Sequence, residues 1–231
     1  MPRQSPPPSA AALRRGRQAR PDIRREVVHG RAAVVKDYGR CGPLFRLVFG
    51  RWLVGRECRA YRLLAGVPGV PELIGRQGPY ALAVEHVEAV PYHQLPADEL
   101  PADFFERLGR LVADLHARGV AHGDLKMPHN VLVDRQGQPY VVDLTAAVRR
   151  EASPFHRWFF RVIAHDDLRA IYKLQEIVRP GSLTAEERAV LEHRGRLERA
   201  FRWLRSYARP AIKRLGGRLD GDEAAPSEPG G

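Results

Sequence analysis

The stretch that most restricts what this chain can fold into is Ala121 to Asp134, AHGDLKMPHNVLVD, read together with Asp143 in VVDL. A short apolar run, Val131, Leu132 and Val133, follows Asn130. An Asp134-Arg135-Gln136-Gly137 turn comes next, and a second apolar run, Tyr140, Val141 and Val142, ends at Asp143. Two such runs about such a turn predict a hairpin. The hairpin returns Asp143 to the neighbourhood of Asn130, so that two acids, Asp124 and Asp143, and one amide meet. Carboxylate and amide oxygens are hard ligands of the kind Mg²⁺ takes alongside phosphate oxygens, which suits a nucleotide–metal complex better than a bare ion.

Upstream, Arg31 to Tyr38, RAAVVKDY, follows a His29-Gly30 turn and is short, β-branched and bounded, which predicts a strand. With a period of two, Val34 and Lys36 share a face. Leu53 to Ala65 predicts a helix stopped by Gly66. Within it Glu57, Tyr61 and Leu64 recur on one side, so Glu57 faces inward, where a partner for Lys36 belongs. Tyr80 to Val87, YALAVEHV, predicts an apolar strand. Phe104, Phe105, Leu108, Leu111, Val112 and Leu115 predict an amphipathic helix entered through Pro101 and delivering the chain to Gly119.

In this order, the Lys36 strand, the Glu57 helix, the HGD loop at His122 to Asp124, Asn130 and Asp143 resemble the protein-kinase-like superfamily. The resemblance implies an α+β, bilobal protein-kinase-like fold with a small antiparallel-sheet N-lobe and a mainly helical C-lobe. It implies ATP and Mg²⁺ as cofactors, with Asn130 and Asp143 on the metal and the Lys36–Glu57 pair on the phosphates. Val34 and Leu132 would cover and floor the adenine, and the hinge, Glu85 to Val87, would meet its edge. Asp124 would accept or orient the proton of an incoming hydroxyl, Lys126 would neutralise the transferring phosphoryl group, and His122 would be structural. Asp166 or Asp167, opening DDLRAIYKL, would hold the loop backbone, an N-cap being the simpler reading.

Three departures narrow the resemblance. Leu125 to His129 make five residues between Asp124 and Asn130 where the family usually has four. The loop must therefore bulge, or the register must shift and put His129, a poor Mg²⁺ ligand, in the amide position; the strand that follows favours Asn130. No glycine-rich loop precedes the Lys36 strand, and Leu144 and Thr145 follow Asp143 in place of Phe-Gly. The chain is thus most similar to the minimal bacterial branch, RIO-type kinases and lipopolysaccharide core kinases acting on heptose or Kdo. The expected reaction is transfer of the γ-phosphoryl group of ATP to a hydroxyl of a lipopolysaccharide core sugar or of a protein Ser/Thr. A nucleotide-binding pseudokinase and a basic module for membrane or nucleic acid are the alternatives.

At 231 residues the chain accommodates one such unit. The expected parts are a disordered basic arm (1–21), the N-lobe (22–88), the C-lobe (89–215) and a flexible tail (216–231). Cys41 and Cys58 are too few for a disulfide framework or zinc site. No apolar run approaches the roughly 20 residues of a spanning helix, and the N-terminus lacks a signal-like apolar stretch. A cytoplasmic monomer is expected. The net charge of +11 gathers in the arm and in Arg196, Arg199, Arg202 and Arg205, with Trp158 to Phe160 set between Arg157 and Arg161. Such clusters suit peripheral contact with an anionic membrane at its inner face; nucleic acid is not an expected partner.

Overall fold

The computed structural model describes residues 11–14 and 21–192 of the chain. The chain divides into two units, residues 1–184 and 185–231. The second is described only in α5, Ala185–Glu192, which opens on Glu186 and Glu187, acids that complement the positive end of a helix. The arginine-rich run at 196–205 and the tail expected from 216 lie outside the described residues.

In the first unit a five-stranded antiparallel sheet has the order β1-β2-β3-β5-β4. Its strands are β1 (Ala11–Arg14), β2 (Asp22–Val28), β3 (Arg31–Asp37), β4 (Leu73–Arg76) and β5 (Ala81–Glu85). The β1 strand falls in the arm that sequence alone assigns to disorder; it pairs Ala11 with Arg25 and Ala12 with Arg24. The β2–β3 hairpin turns through His29 and Gly30, both at positive φ (51° and 76°), the twist that a two-residue hairpin loop requires. One face of the sheet buries small side chains, Ala33, Val35, Ala81 and Ala83. The alternate residues carry Val34, Lys36 and Leu82 to the other face, Lys36 opposite Leu82 across the ladder.

Against that face lies a helix that starts earlier than its apolar spacing predicts. Pro43 opens α1 (Pro43–Phe45), a π-helical segment Arg46–Gly50 continues it, and α2 (Arg51–Leu63) follows. The early turns expose Leu47, Val48 and Phe49, so their apolar positions carry no inward period. Within α2, Val54, Glu57, Cys58 and Tyr61 are buried.

The remaining elements surround α3 (Phe104–Ala117), whose six buried apolar residues are those its spacing predicts. Strands β6 (Ala89–Pro91), β8 (Val131–Asp134) and β9 (Pro139–Val141) form one small sheet; β7 (Val120–Ala121) and β10 (Val148–Arg149) form another. The expected hairpin is β8–β9, with Leu132 opposite Tyr140. The long α4 (Pro154–Val178) packs beside α3 and β7. Asp166 and Asp167 lie well inside α4, so neither caps it: Pro154 begins the helix. Cys41 and Cys58 are buried free thiols.

Candidate active site

Three elements far apart in sequence converge on one ammonium group. Lys36 Nζ, from the centre of the sheet, lies 3.2 Å from Glu57 Oε1 on α2 and 2.6 Å from Asp143 Oδ1 just past β9, and it also contacts the Thr145 hydroxyl. Burial alone would depress the Lys36 pKa, but the Glu57 and Asp143 carboxylates outweigh it and hold the amine above its ordinary value. Burial opposes ionisation of Asp143 too; the Lys36 charge and hydrogen bonds from Lys36 and Thr145 overcome it and hold that carboxyl well below the usual range. Glu57, 1% exposed, is pushed up by burial against the pull of Lys36.

Sequence reasoning passed over Thr145. Its hydroxyl lies 2.6 Å from Asp143 Oδ1 and 3.1 Å from Glu57 Oε2, and having one proton it donates to one of them at a time. The available signal was a hydroxyl two residues after the acid. Asp143 itself adopts the left-handed conformation (φ 64°, ψ 71°) and accepts from the Thr145 N–H at 3.3 Å. Its bonds with Lys36 and Thr145 all fall on Oδ1.

The extra loop residue is absorbed by tight turns. Met127 N–H donates to Asp124 O (3.2 Å), Asn130 N–H donates to Met127 O (2.9 Å), and Pro128–Asn130 form one 3₁₀ turn. Asn130, not His129, is buried. Its Nδ2 donates to Asp124 O at 3.0 Å, which fixes the amide orientation. The Oδ1 on its other side is buried and makes no hydrogen bond.

A bound Mg²⁺ fits this donor set. Asn130 Oδ1 is a buried hard oxygen without a hydrogen-bond partner, and an orphaned buried acceptor is costly unless something meets it. The Asp143 carboxylate, which lines a cavity with Lys36 and Asp124, brings further hard oxygens. Among the described residues no group of three or more His, Cys, Asp and Glu side chains could hold a metal by itself.

His122 is fully buried and serves the loop. Asp124 N–H donates to its Nδ1 (3.3 Å), so its Nε2 carries the proton and donates to Val142 O (2.9 Å), tying the loop to the β8–β9 hairpin. From α4, Asp167 accepts His122 N–H (2.7 Å) and Gly123 N–H (2.8 Å) and meets His116 Nε2 at 3.0 Å. Of the two acids considered for this task, Asp167 has it; Asp166 lies 3.5 Å from Lys126. Gly123 (φ +79°) permits the approach, since a Cβ there would sit 2.8 Å from Ala146 O.

A cavity of about 1220 Å³ joins Lys36, Asp124, Asp143 and Thr145. Lys126 does not line it and is directed to Asp166. The four residues expected around adenine, Val34, Glu85, Val87 and Leu132, do not line it either. Val34 pairs with Val84 and Leu132 with Pro91 and Tyr140. Glu85 directs its carboxylate to Glu72 N–H (3.2 Å). Val87 lies beyond the end of β5, with its carbonyl taken by Ala89 N–H (2.9 Å).

Residues 84–179 match the family described as lipopolysaccharide kinase (Kdo/WaaP). The matched stretch contains Asp124, Asn130 and Asp143 but stops short of Lys36 and Glu57. Among solved structures, the Rio2 kinase–ADP/Mg²⁺–phosphoaspartate complex from Chaetomium thermophilum has a TM-score of 0.56 and 21% identity, covering 82% of this chain and 62% of that one. A second structure of Rio2 kinase from the same organism gives 0.54 and 22%, covering 82% and 65%. Cex1p gives 0.52 and 15%, covering 81% and 39%. This chain thus spans less than two thirds of the length of each, and the likeness is one of fold. No curated protein sequence matches it significantly.

Proposed function

We propose, because this chain has the protein-kinase-like fold, that it is an ATP-dependent phosphotransferase moving the γ-phosphoryl group to a hydroxyl of a lipopolysaccharide-type core sugar. A single observation carries this: one cavity holds Lys36, braced by Glu57, together with Asp124 and Asp143, while Asn130 presents an unspent buried oxygen. The match of residues 84–179 to the lipopolysaccharide kinase family supports the sugar acceptor, with a protein Ser/Thr as the other acceptor class. ADP and Mg²⁺ in the Rio2 kinase complex support the cofactors.

Phosphoryl transfer asks a protein mostly to position groups and balance charge. Asp124 lines the cavity and orients the acceptor hydroxyl, taking its proton as the bond to phosphorus forms. Lys36 meets the phosphates, its ammonium steadied by Glu57. Its three protons face Glu57, Asp143 and Thr145, so a phosphate oxygen must displace one of these partners. Mg²⁺ held by Asp143 and Asn130 would supply charge neutralisation on the phosphate oxygens. Lys126 acts only if it leaves Asp166. Val34 and Leu132 would enclose the adenine, with the backbone at Glu85 to Val87 on its edge. ATP supply puts the reaction in the cytoplasm.

Asp124→Ala should abolish turnover and leave Mg-ATP binding intact, whereas Asp143→Ala should lose Mg-dependent nucleotide binding. Wild-type-like turnover in Asp124→Ala would refute the role assigned to that residue. Among the described residues no helix is long and apolar enough to cross a membrane. Peripheral docking on anionic lipid is supported by exposed Leu47, Phe49, Trp52 and Phe155, interleaved in sequence with Arg46, Arg51 and Arg157. Equal sedimentation with neutral and anionic vesicles would remove it.

A further inference from the structure

The lining of the cavity is rich in arginine. Arg51, Arg56 and Arg59 come from α2, and Arg149 comes from β10. Pairing of Arg149 with Val120 fixes β10 to the strand that enters the Asp124 loop. Arg56 is held on two sides: it stacks over the Trp52 ring (5.1 Å to the centroid), and its Nε and Nη2 donate to Ala147 O at 3.3 and 3.0 Å. That partner is a neutral carbonyl. A guanidinium has five N–H donors, so Arg56 keeps most of them for something else, in an orientation already set. Burial and the nearby Arg149 charge depress its pKa, against the opposing pull of Glu57. Arg149 meets Glu151 at 2.9 Å on an exposed edge, a pair that solvent weakens. Arg51, Arg56 and Arg59 have no ion-pair partner among the described residues.

We propose that Arg56 and Arg149 form an anion subsite on the acceptor side of the cavity, which holds a phosphate monoester or carboxylate carried by the acceptor beside its reacting hydroxyl. The assignment to the acceptor rests on the phosphotransferase reading; the subsite itself does not. Two crowded, half-buried guanidiniums are stabilised by a bidentate anion in a way that water cannot match. Asp124 lines the same cavity, so a group seated on the pair brings its neighbouring hydroxyl within the enclosure where transfer occurs.

The test titrates the full chain with methyl phosphate and, separately, with acetate at constant ionic strength, with and without saturating Mg-ADP, following heat or thermal shift. Saturable binding of either anion is expected, persisting with Mg-ADP present and weakened about tenfold or more in Arg56→Gln and in Arg149→Gln. Mg-ADP affinity should be unchanged in both variants. Arg56→Lys, which keeps the charge and loses the fork, should recover only part of the binding. The anion that binds identifies the acceptor group. Binding abolished by Mg-ADP would mean that the anion occupies the nucleotide's own site, and binding equal in wild type and variants would mean diffuse charge; either overturns the subsite, as does no binding of either anion. Arginine-dependent binding in a chain that fails to bind Mg-ADP would keep the subsite and sink the phosphotransferase reading.

Discussion

Asp167→Ala removes one carboxylate and strands three partners. Two of these, the His122 and Gly123 N–H groups, donate to Asp167 at 2.7 and 2.8 Å, and His122 is fully buried. The third, His116 Nε2 at 3.0 Å, belongs to a side chain 16% exposed and can turn toward water. An unsatisfied buried donor costs about 1–3 kcal/mol, so the two N–H groups together set a destabilisation of about 2–6 kcal/mol. That is a large share of the roughly 5–15 kcal/mol available to a folded protein. Asp167→Asn should cost less, about 1–3 kcal/mol, because its carbonyl oxygen still accepts from one N–H while its NH₂ strands the other. Urea unfolding at low temperature, followed by tryptophan fluorescence, measures the loss, with His116→Ala as the milder control. Either Asp167 variant within about 0.5 kcal/mol of wild type would refute the claim that this acid holds the loop.

Other expectations follow from the same geometry. Gly69→Ala places a Cβ 2.6 Å from Pro139 O at φ +90°, and should cost about 2–5 kcal/mol in urea unfolding; a neutral result would mean that the β9 contact is loose. Because folding lowers the Asp143 pKa, its stabilisation is fully present above the unfolded value near about 3.9 and is lost as pH falls through the lower folded value. The stability gap between wild type and Asp143→Asn should therefore stay constant at neutral pH and narrow only in acid below about pH 4; narrowing already at pH 6 would contradict the ion pair. Glu57→Ala leaves the Lys36 charge with less compensation and should cost about 3–5 kcal/mol together with Mg-ATP affinity; full retention of both would dismiss the pair.

The sequence made legible those features that local chemistry dictates. The β8–β9 hairpin, the α3 stripe and the His29-Gly30 turn each follow from spacing or turn residues, and each stands in the structure where the spacing puts it. The Lys36–Glu57 pair also followed, once the order of elements was compared with a known superfamily; the direct contact of Lys36 with Asp143 did not. Features that depend on long-range packing were not legible. Strand β1 consists of unremarkable residues, AALR, and exists through its pairing with β2. The turns before α2 expose their apolar residues, so no period announces them. Thr145 and Arg56 act through partners 88 and 91 residues away in sequence, which no window along the chain can connect. Asp166 and Asp167 were separable only by the side of α4 on which each lies.

The most direct measurement is transfer of label from γ-labelled ATP with Mg²⁺ to lipopolysaccharide and to protein fractions, for wild type and Asp124→Ala side by side. The account predicts label in the lipopolysaccharide fraction with wild type, none with Asp124→Ala, and equal Mg-ATP thermal shifts for both. Label in the protein fraction alone would keep the chemistry and change the acceptor. A Mg-ATP shift in wild type with no label in any fraction would contradict the account and make the chain a nucleotide-binding pseudokinase.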